Sequence, residues 1–392
     1  MENSALVFMD DDSKNLSSRA QNEGSGSALP LGQRTFKERI KVVGVGGGGN
    51  NALDHIIRSG AAGVEFLAVN TDAKCLEKCL SAEKLVIGEK LTGGHGAGAK
   101  PEIGEQAANE SRDAIRDCFK GCDMVYLAAG MGGGTGTGAL PVIASIAKDM
   151  GILTVSVVTR PFSFEGRKRT LYASTGIERT KGIVDALIVV PNDRLLNLSE
   201  RTTTITEAFA MADGVLCQAV QSVTDLVTRP GEINVDFADL KSIMKHSGGA
   251  VMGVGAGKGD NRADDALKRA MESPLMESSV TGAKGVILNV TGGPDIGIFE
   301  VQAAAMKLQG LIDPDANFKL GLIRDENMGA DSSDEIQMVV IATGFNMGSE
   351  PSAPAPAAPL KLQKVSPPEG EALFSIDSPM DTPSYLRRRP RK

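Results

Sequence analysis

Gly130-Met-Gly-Gly-Gly-Thr-Gly-Thr-Gly138 follows the apolar run Met124–Ala129 and precedes Ala139-Leu-Pro-Val-Ile-Ala-Ser-Ile-Ala147. An apolar run, a glycine-rich turn and then helical periodicity describe a strand feeding a helix. The start of such a helix offers unpaired N–H groups and the positive end of its dipole. Successive glycines let the backbone close on phosphate oxygens, and Thr135 and Thr137 add hydroxyl donors. The stretch reads as an anion cradle, with a tight packing turn as the plain alternative. It lacks the Gly-Lys-Ser/Thr ending of a P-loop, so no lysine stands ready for a terminal phosphate.

Upstream, the strand Ile40–Val45 leads into Gly46-Gly-Gly-Gly-Asn-Asn51 and a helix expected over Ala52–Ser59. Gly44, Gly46 and Gly49, with Glu65 about 20 residues on, also fit the dinucleotide-binding pattern of a dehydrogenase. A second strand, Val64–Val69, ends in Asn70-Thr-Asp72. That puts polar side chains at the carboxyl end of a buried strand, where open α/β sheets bind ligands. A third glycine cluster, Gly93-Gly-His-Gly-Ala-Gly98, precedes helical periodicity over Ile103–Phe119.

After the cradle helix come the strand Ile152–Val158 and then Glu165 and Arg169, four residues apart. On one helix face they hold a ribose hydroxyl and a phosphate or base edge, or they form a surface ion pair. The strand Ala186–Val190 ends at Asn192 and Asp193. A long helix is expected from Ile205 to about Thr228, with Phe209, Ala212, Leu216, Val220, Val223 and Val227 at helical spacing. Near its start Phe209 suits stacking on a base and Asp213 suits accepting from a base N–H; a core Phe and a solvated Asp fit equally. Asn234-Val-Asp-Phe-Ala-Asp239 sets Asp236 and Asp239 three apart beside an amide. Such a set orients a water, or simply forms the acidic first turn of a helix. Strands and helices then alternate to Thr343, which reads as a second, smaller α/β domain.

Composition sets limits. With 392 residues, 41% of them hydrophobic and 23% charged, the chain holds two domains of ordinary size. Aromatics are 4% and tryptophan is absent, so the core rests on aliphatic residues. A net charge of −7 speaks against non-specific nucleic-acid binding. Cys75/Cys79, Cys118/Cys122 and Cys217 lack the spacing of a zinc site, and no metal-ligand cluster is evident. Reduced thiols in a cytoplasmic protein are expected. No run of about 18 apolar residues occurs. Both ends look disordered: the first 36 residues are polar, and nine of the eighteen prolines lie beyond residue 350.

Taken together, these motifs resemble the FtsZ family of bacterial tubulin-like division GTPases, over roughly Lys41–Phe345. Gly130–Gly138 resembles the tubulin signature loop, and Asn234–Asp239 resembles the loop that family inserts into the neighbouring subunit's nucleotide site. The implied fold is α/β: a tubulin/FtsZ-like, Rossmann-like GTP-binding domain and a smaller α/β domain, joined by a long central helix. The implied divisions are an N-terminal extension (1–36), the GTP-binding domain (37–204), the central helix (205–229) and a C-terminal GTPase-activating domain (230–345). A linker (346–377) and a partner-binding tail (378–392) follow.

The resemblance implies GTP or GDP as the nucleotide, with Mg²⁺ accompanying the triphosphate. Gly47, Gly48, Gly49, Asn50 and Asn51, with Gly133, Gly134, Thr135, Gly136 and Thr137, would hold phosphates; Asn70 and Asp72 belong to the same site. Glu165 and Arg169 would contact ribose and nucleotide, and Phe209 and Asp213 the guanine. Asn234, Asp236 and Asp239 would come from the next subunit of a head-to-tail protofilament to polarise the attacking water. The implied setting is the division ring beneath the membrane, reached through anchoring proteins that bind Asp381–Leu386 and the basic tail. The sequence departs from the family at Asn50, where another glycine is common, at His95, usually leucine, and at Thr382 and Tyr385, where Ile and Phe are common. A nucleotide-binding filament that does not hydrolyse is the competing expectation.

Overall fold

A computed structural model describes residues 38–344, except 62, 197–201, 230, 246, 274–275, 277 and 326–334. The N-terminal extension, the linker and the tail peptide lie outside the described residues. Among those described, ten strands form one sheet: β1 (Ile40–Val45), β2 (Glu65–Asn70), β3 (Glu83–Val86), β4 (Met124–Gly130), β5 (Leu153–Arg160), β6 (Ala186–Pro191), β7 (Gly248–Lys258), β8 (Gly285–Gly292), β9 (Asn317–Arg324) and β10 (Glu335–Thr343). The helices of the first half are α1 (Gly46–Arg58), α2 (Ala73–Lys78), α3 (Glu89–Thr92), α4 (Pro101–Glu110), α5 (Arg112–Cys118), α6 (Thr135–Asp149), α7 (Arg167–Lys181) and α8 (Asn192–Leu196). Then come α9 (Ile205–Thr228), α10 (Phe237–Met244), α11 (Arg262–Met271) and α12 (Ile298–Gln309).

Strand order is β3-β2-β1-β4-β5-β6-β7-β10-β8-β9. The first six strands are parallel, and in such a sheet ligands bind where the order reverses, between β1 and β4. Both glycine turns leave the sheet there. Alternate residues of a strand point to opposite faces, yet Val42 and Val43 are both fully buried. A sheet covered on both sides demands this. Leu53 and Ile56 of α1 and Leu216, Val220 and Val223 of α9 cover one face. Ala107, Ile115, Leu140 and Ile143 cover the other.

The second half continues the same sheet, because β7 pairs parallel with β6 over Ala186–Ile188 and Gly248–Ala250. There β10 runs antiparallel to both β7 and β8. Helix α9 buries its apolar stripe in a core shared with β5, β6, β8 and β10, so it joins the halves by packing as well as by connection. Its start is fixed by a reciprocal cap, with Glu207 N–H donating to Thr204 Oγ1 and Thr204 N–H to Glu207 Oε2.

Three sequence expectations are corrected. The helix expected over 103–119 is two, α4 and α5, parted at Ser111, whose hydroxyl accepts from Gly88 N–H. The edge strand β3, with two exposed charged residues, adds to the expected strands, because edge strands carry little apolar alternation for a sequence to display. Helix α1 begins at Gly46 rather than Ala52, so Gly46–Asn51 form its first turns. All five cysteines are free thiols. Among the described residues no helix is long and apolar enough to cross a membrane.

Candidate nucleotide site

Helices α1 and α6 start without a side-chain cap, at Val45 and Gly134 respectively. An uncapped first turn leaves N–H groups seeking an acceptor. The two starts lie against each other, since a Cβ on Gly46 would stand 2.8 Å from Gly136 N. Between them opens a cavity of about 410 Å³. Its walls include Gly47, Gly48, Asn51, Gly133, Gly134, Thr135 and Gly136 from the two turns. Glu165, Arg169, Phe209 and Asp213 complete it from two other directions.

The glycines divide by what surrounds them. A Cβ on Gly49 would sit 2.2 Å from the carbonyl oxygen of Ala128, and one on Gly138 1.9 Å from that of Pro101. These two permit close helix–sheet and helix–helix packing, which is the plain reading of a glycine turn. By contrast, a Cβ on Gly47 or Gly133 would meet nothing within 4 Å. At these positions of the cavity wall no described protein atom accounts for the missing side chain, and the backbone lies open to the cavity.

Several expected site residues support the cavity from behind. Asn50, 4% exposed, donates to Gly44 O and accepts from Asn70 Nδ2. Thr137 accepts from Gly132 N–H at 2.8 Å inside the protein, bracing the signature turn. Gly49, Asn50, Asn70, Asp72 and Thr137 are therefore not on the cavity wall. Asp72 caps α2 by accepting from Lys74 and Cys75 N–H, and the Cys75 bond leads in holding its carboxyl below the usual range. Thr71 and Thr135 share a hydrogen bond of 2.7 Å, tying the end of β2 to the cradle. The third glycine cluster joins them: Gly96 N–H donates to Thr71 O, and a Cβ on Gly134 would stand 2.9 Å from Ala97 Cβ.

Glu165 ends a 3₁₀ turn (Ser163–Glu165), and Arg169 lies in the first turn of α7. They form an ion pair and both line the cavity, so their two readings coincide. Phe209 is 40% exposed and meets Phe162 edge-on, with ring centroids 5.4 Å apart. Burial near Ala212 and Leu216 pushes the Asp213 carboxyl up to about 7.

Six further residues stand on the wall to which the sequence assigns no role of their own in the site: Met131, Thr159, Pro161, Asn192, Ala212 and Leu216. Asn192 is 4% exposed and its Oδ1 has no hydrogen-bond partner among the described residues. A buried orphan acceptor facing a cavity is costly unless a ligand satisfies it. Its position at the carboxyl end of β6, like that of Asn70 after β2, was the available signal. Glu65, the acid of the dehydrogenase pattern, stands at the opposite end of β2 and pairs with Arg39 and Lys41. It cannot reach a ribose beside the glycine turns, which removes that reading.

Asn234, Asp236 and Asp239 are not brought to this cavity. Asp213 and Thr228 stand fifteen residue steps apart on α9, a rise of about 22 Å, and the acidic loop begins beyond that end. There Asn234 Oδ1 accepts from Gly231 N–H at 2.6 Å, and Asp236 caps α10 through Asp239 N–H. Asp239 pairs with Lys319 at 2.7 Å. Beside the loop lies an apolar groove of about 500 Å³, lined by Ile233, Val301, Leu320 and Leu322. Ile298, Phe299 and Met306 nearby are 70%, 81% and 63% exposed.

Residues 39–200 match the GTPase domain of the Tubulin/FtsZ family, and residues 248–346 match the C-terminal domain of the FtsZ family. The fold and its cavity are thus those of a tubulin-like GTPase. An empty FtsZ dimer from M. jannaschii is 40% identical, with a TM-score of 0.74, over 79% of this chain and 89% of that one. A point mutant of M. jannaschii FtsZ is 39% identical over 79% and 92% of the two chains, again at 0.74. This chain belongs to the FtsZ family. CetZ2 from Haloferax volcanii, a GTPγS-bound protofilament, shares the fold at 20% identity and a TM-score of 0.64, over 78% and 92%.

Proposed function

We propose that the chain binds GTP between the starts of α1 and α6 and hydrolyses it to GDP and phosphate only when a second copy supplies Asn234, Asp236 and Asp239. The observation that carries this reading is the separation of the two halves of the chemistry along α9: a cavity rich in anion-binding N–H groups at one end, a carboxylate pair at the other. In one molecule they do not meet. Stacked head to tail, the acidic loop of one copy faces the cavity of the next, and the exposed Ile298, Phe299 and Met306 gain a surface to cover them. A heterologous contact of this kind does not close, so it builds filaments.

In this arrangement the N–H groups of Gly47 and Gly48 and of Gly133–Gly136, with Asn51 beside them on the wall, neutralise phosphate charge, and hydrolysis is chiefly a matter of positioning and charge stabilisation. Glu165 and Arg169 hold the ribose side, Phe209 stacks on the guanine and Asp213 accepts from its N–H edge. Asn192 Oδ1 gains the donor it lacks. Asn70, Asp72 and Thr137 act through the backbone they hold. Mg²⁺ would be carried by the phosphate oxygens and supply positive charge to the transition state.

The domain divisions stated above, a cytoplasmic location at the division ring, and docking of membrane-anchoring proteins on Asp381–Leu386 with the basic tail belong to the same proposal. Phosphate release measured against protein concentration tests its centre: specific activity rises above an assembly threshold. Turnover per subunit that survives dilution sinks the shared site. Sedimentable filaments with GTP but no phosphate release would instead establish the non-hydrolysing filament, a reading favoured by the engagement of Asp239 with Lys319. Removal of residues 378–392 leaves turnover intact and abolishes recruitment to a tethered partner; loss of filaments on that truncation contradicts the division of labour.

A further inference from the structure

Helix α8 is five residues long, too short to persist without outside support. Tertiary ties set its place. Leu195 is 2% exposed, anchoring one side. Asn192 faces the cavity. The next residue, Asp193, accepts from Ser163 N–H through Oδ1 at 2.9 Å. Ser163 opens the 3₁₀ turn that ends at Glu165, and Phe162, just before it, touches Phe209 edge-on. The third residue, Arg194, donates through Nη1 to the carbonyl of Met276. Met276 is 5% exposed and belongs to the core formed by β7, β8, β10, α11 and α12. Three consecutive side chains thus reach the cavity, the turn bearing Glu165, and the C-terminal core.

We infer that Asp193 and Arg194 are positioning residues that set the ribose-side wall of the cavity and tie it to the C-terminal core by a route separate from α9. The inference rests on reading the cavity as a GTP site. Asp193 fixes the turn from which Glu165 reaches the cavity. Arg194 holds α8, and with it Asn192, against a backbone carbonyl that moves with the C-terminal core. A shift of that core relative to β6 therefore changes the wall. By linkage, nucleotide in the cavity biases the core's position by the same factor.

The test is equilibrium binding of GTP to the full chain below its assembly threshold, with steady-state turnover above it. One charge-assisted hydrogen bond predicts that Asp193→Ala weakens GTP binding about tenfold. The loss is carried by KM, with kcat at saturating GTP unchanged, and Asp193→Asn, which keeps an acceptor oxygen, restores it. Ser163→Pro removes the same bond from the donor side. Proline is tolerated at the first position of a helical turn, and Phe162 at φ −61°, ψ 147° already has the backbone that precedes a proline. The double variant Asp193→Ala/Ser163→Pro loses no more than either single one. Arg194→Ala weakens binding about threefold to tenfold and Arg194→Lys recovers it.

Wild-type affinity in Asp193→Ala or in Arg194→Ala overturns the inference, as do additive losses in the double variant or failure of the conservative replacements to rescue. Should the alanine variants not fold, Ser163→Pro and the two conservative variants still decide it. A wild-type chain that binds no GTP overturns the nucleotide reading itself, an outcome separate from a wild type that binds while the variants bind equally well.

Discussion

Nδ2 of Asn70 donates to Oδ1 of Asn50 at 2.8 Å, and Nδ2 of Asn50 donates to the carbonyl of Gly44 at 2.9 Å. Two buried amides thus form a strut from the end of β2 to the end of β1, beneath the first glycine turn. Asn70→Ala leaves Asn50 Oδ1 buried without a donor, which costs about 1–3 kcal/mol. The urea midpoint of the nucleotide-free chain should fall accordingly. An unchanged midpoint would mean that the strut bears no energy.

The surroundings of the glycines separate those open to the cavity from those that serve packing. Gly47→Ala has open space and should leave the unfolding midpoint near wild type while weakening GTP binding at least about tenfold. Gly49→Ala presses a methyl group on the carbonyl of Ala128 and should destabilise the fold by about 1–3 kcal/mol. Paired thermal melts and GTP titrations check both; equal behaviour of the two variants contradicts the assignment.

In the proposed site, Asp213 should make nucleotide affinity depend on pH. Its carboxyl is raised to about 7 by burial, and a guanine N–H edge requires the ionised form. Ionisation is half complete at that value and nearly full about a pH unit above it, where affinity levels off. Below it the carboxylate must shed a proton to bind, and affinity drops by up to about tenfold per pH unit. Asp213→Asn abolishes the dependence and binds more weakly at neutral pH. Calorimetric titrations at about pH 8 and about pH 6 that agree for the wild type would remove Asp213 from guanine recognition.

Asp236 caps α10 and is also a proposed catalytic group, so alanine there confounds two losses. Asparagine caps as well as aspartate does, and Asp236→Asn should keep stability and GTP binding while lowering turnover about a hundredfold. Asp239→Ala breaks a partly exposed ion pair with Lys319, worth about 0–1 kcal/mol. It too should retain GTP binding. Mixing Asp239→Ala with Gly47→Ala offers a sharper check. One carries an intact cavity and the other an intact acidic loop, so phosphate release from the mixture should exceed that of either variant alone. No recovery on mixing argues against a site shared between copies.

Local chemistry was legible in the sequence where a single segment carries it. The helix Ile205–Thr228, the strand β1 and the anion-binding character of Gly130–Gly138 follow from periodicity, glycine and the geometry of a helix start. These are properties of adjacent residues, and adjacency is what a sequence displays. Tertiary structure alone decided which glycines face the open cavity and which admit a neighbouring backbone, since Gly47 and Gly49 differ in what lies across from them. It also placed Glu65 at the wrong end of β2 for a dinucleotide, brought Asn192 to the wall without a partner, and set Asp236 and Asp239 beyond the far end of α9. Such facts depend on which segments the sheet order brings side by side, and strand order is fixed by packing across the whole core.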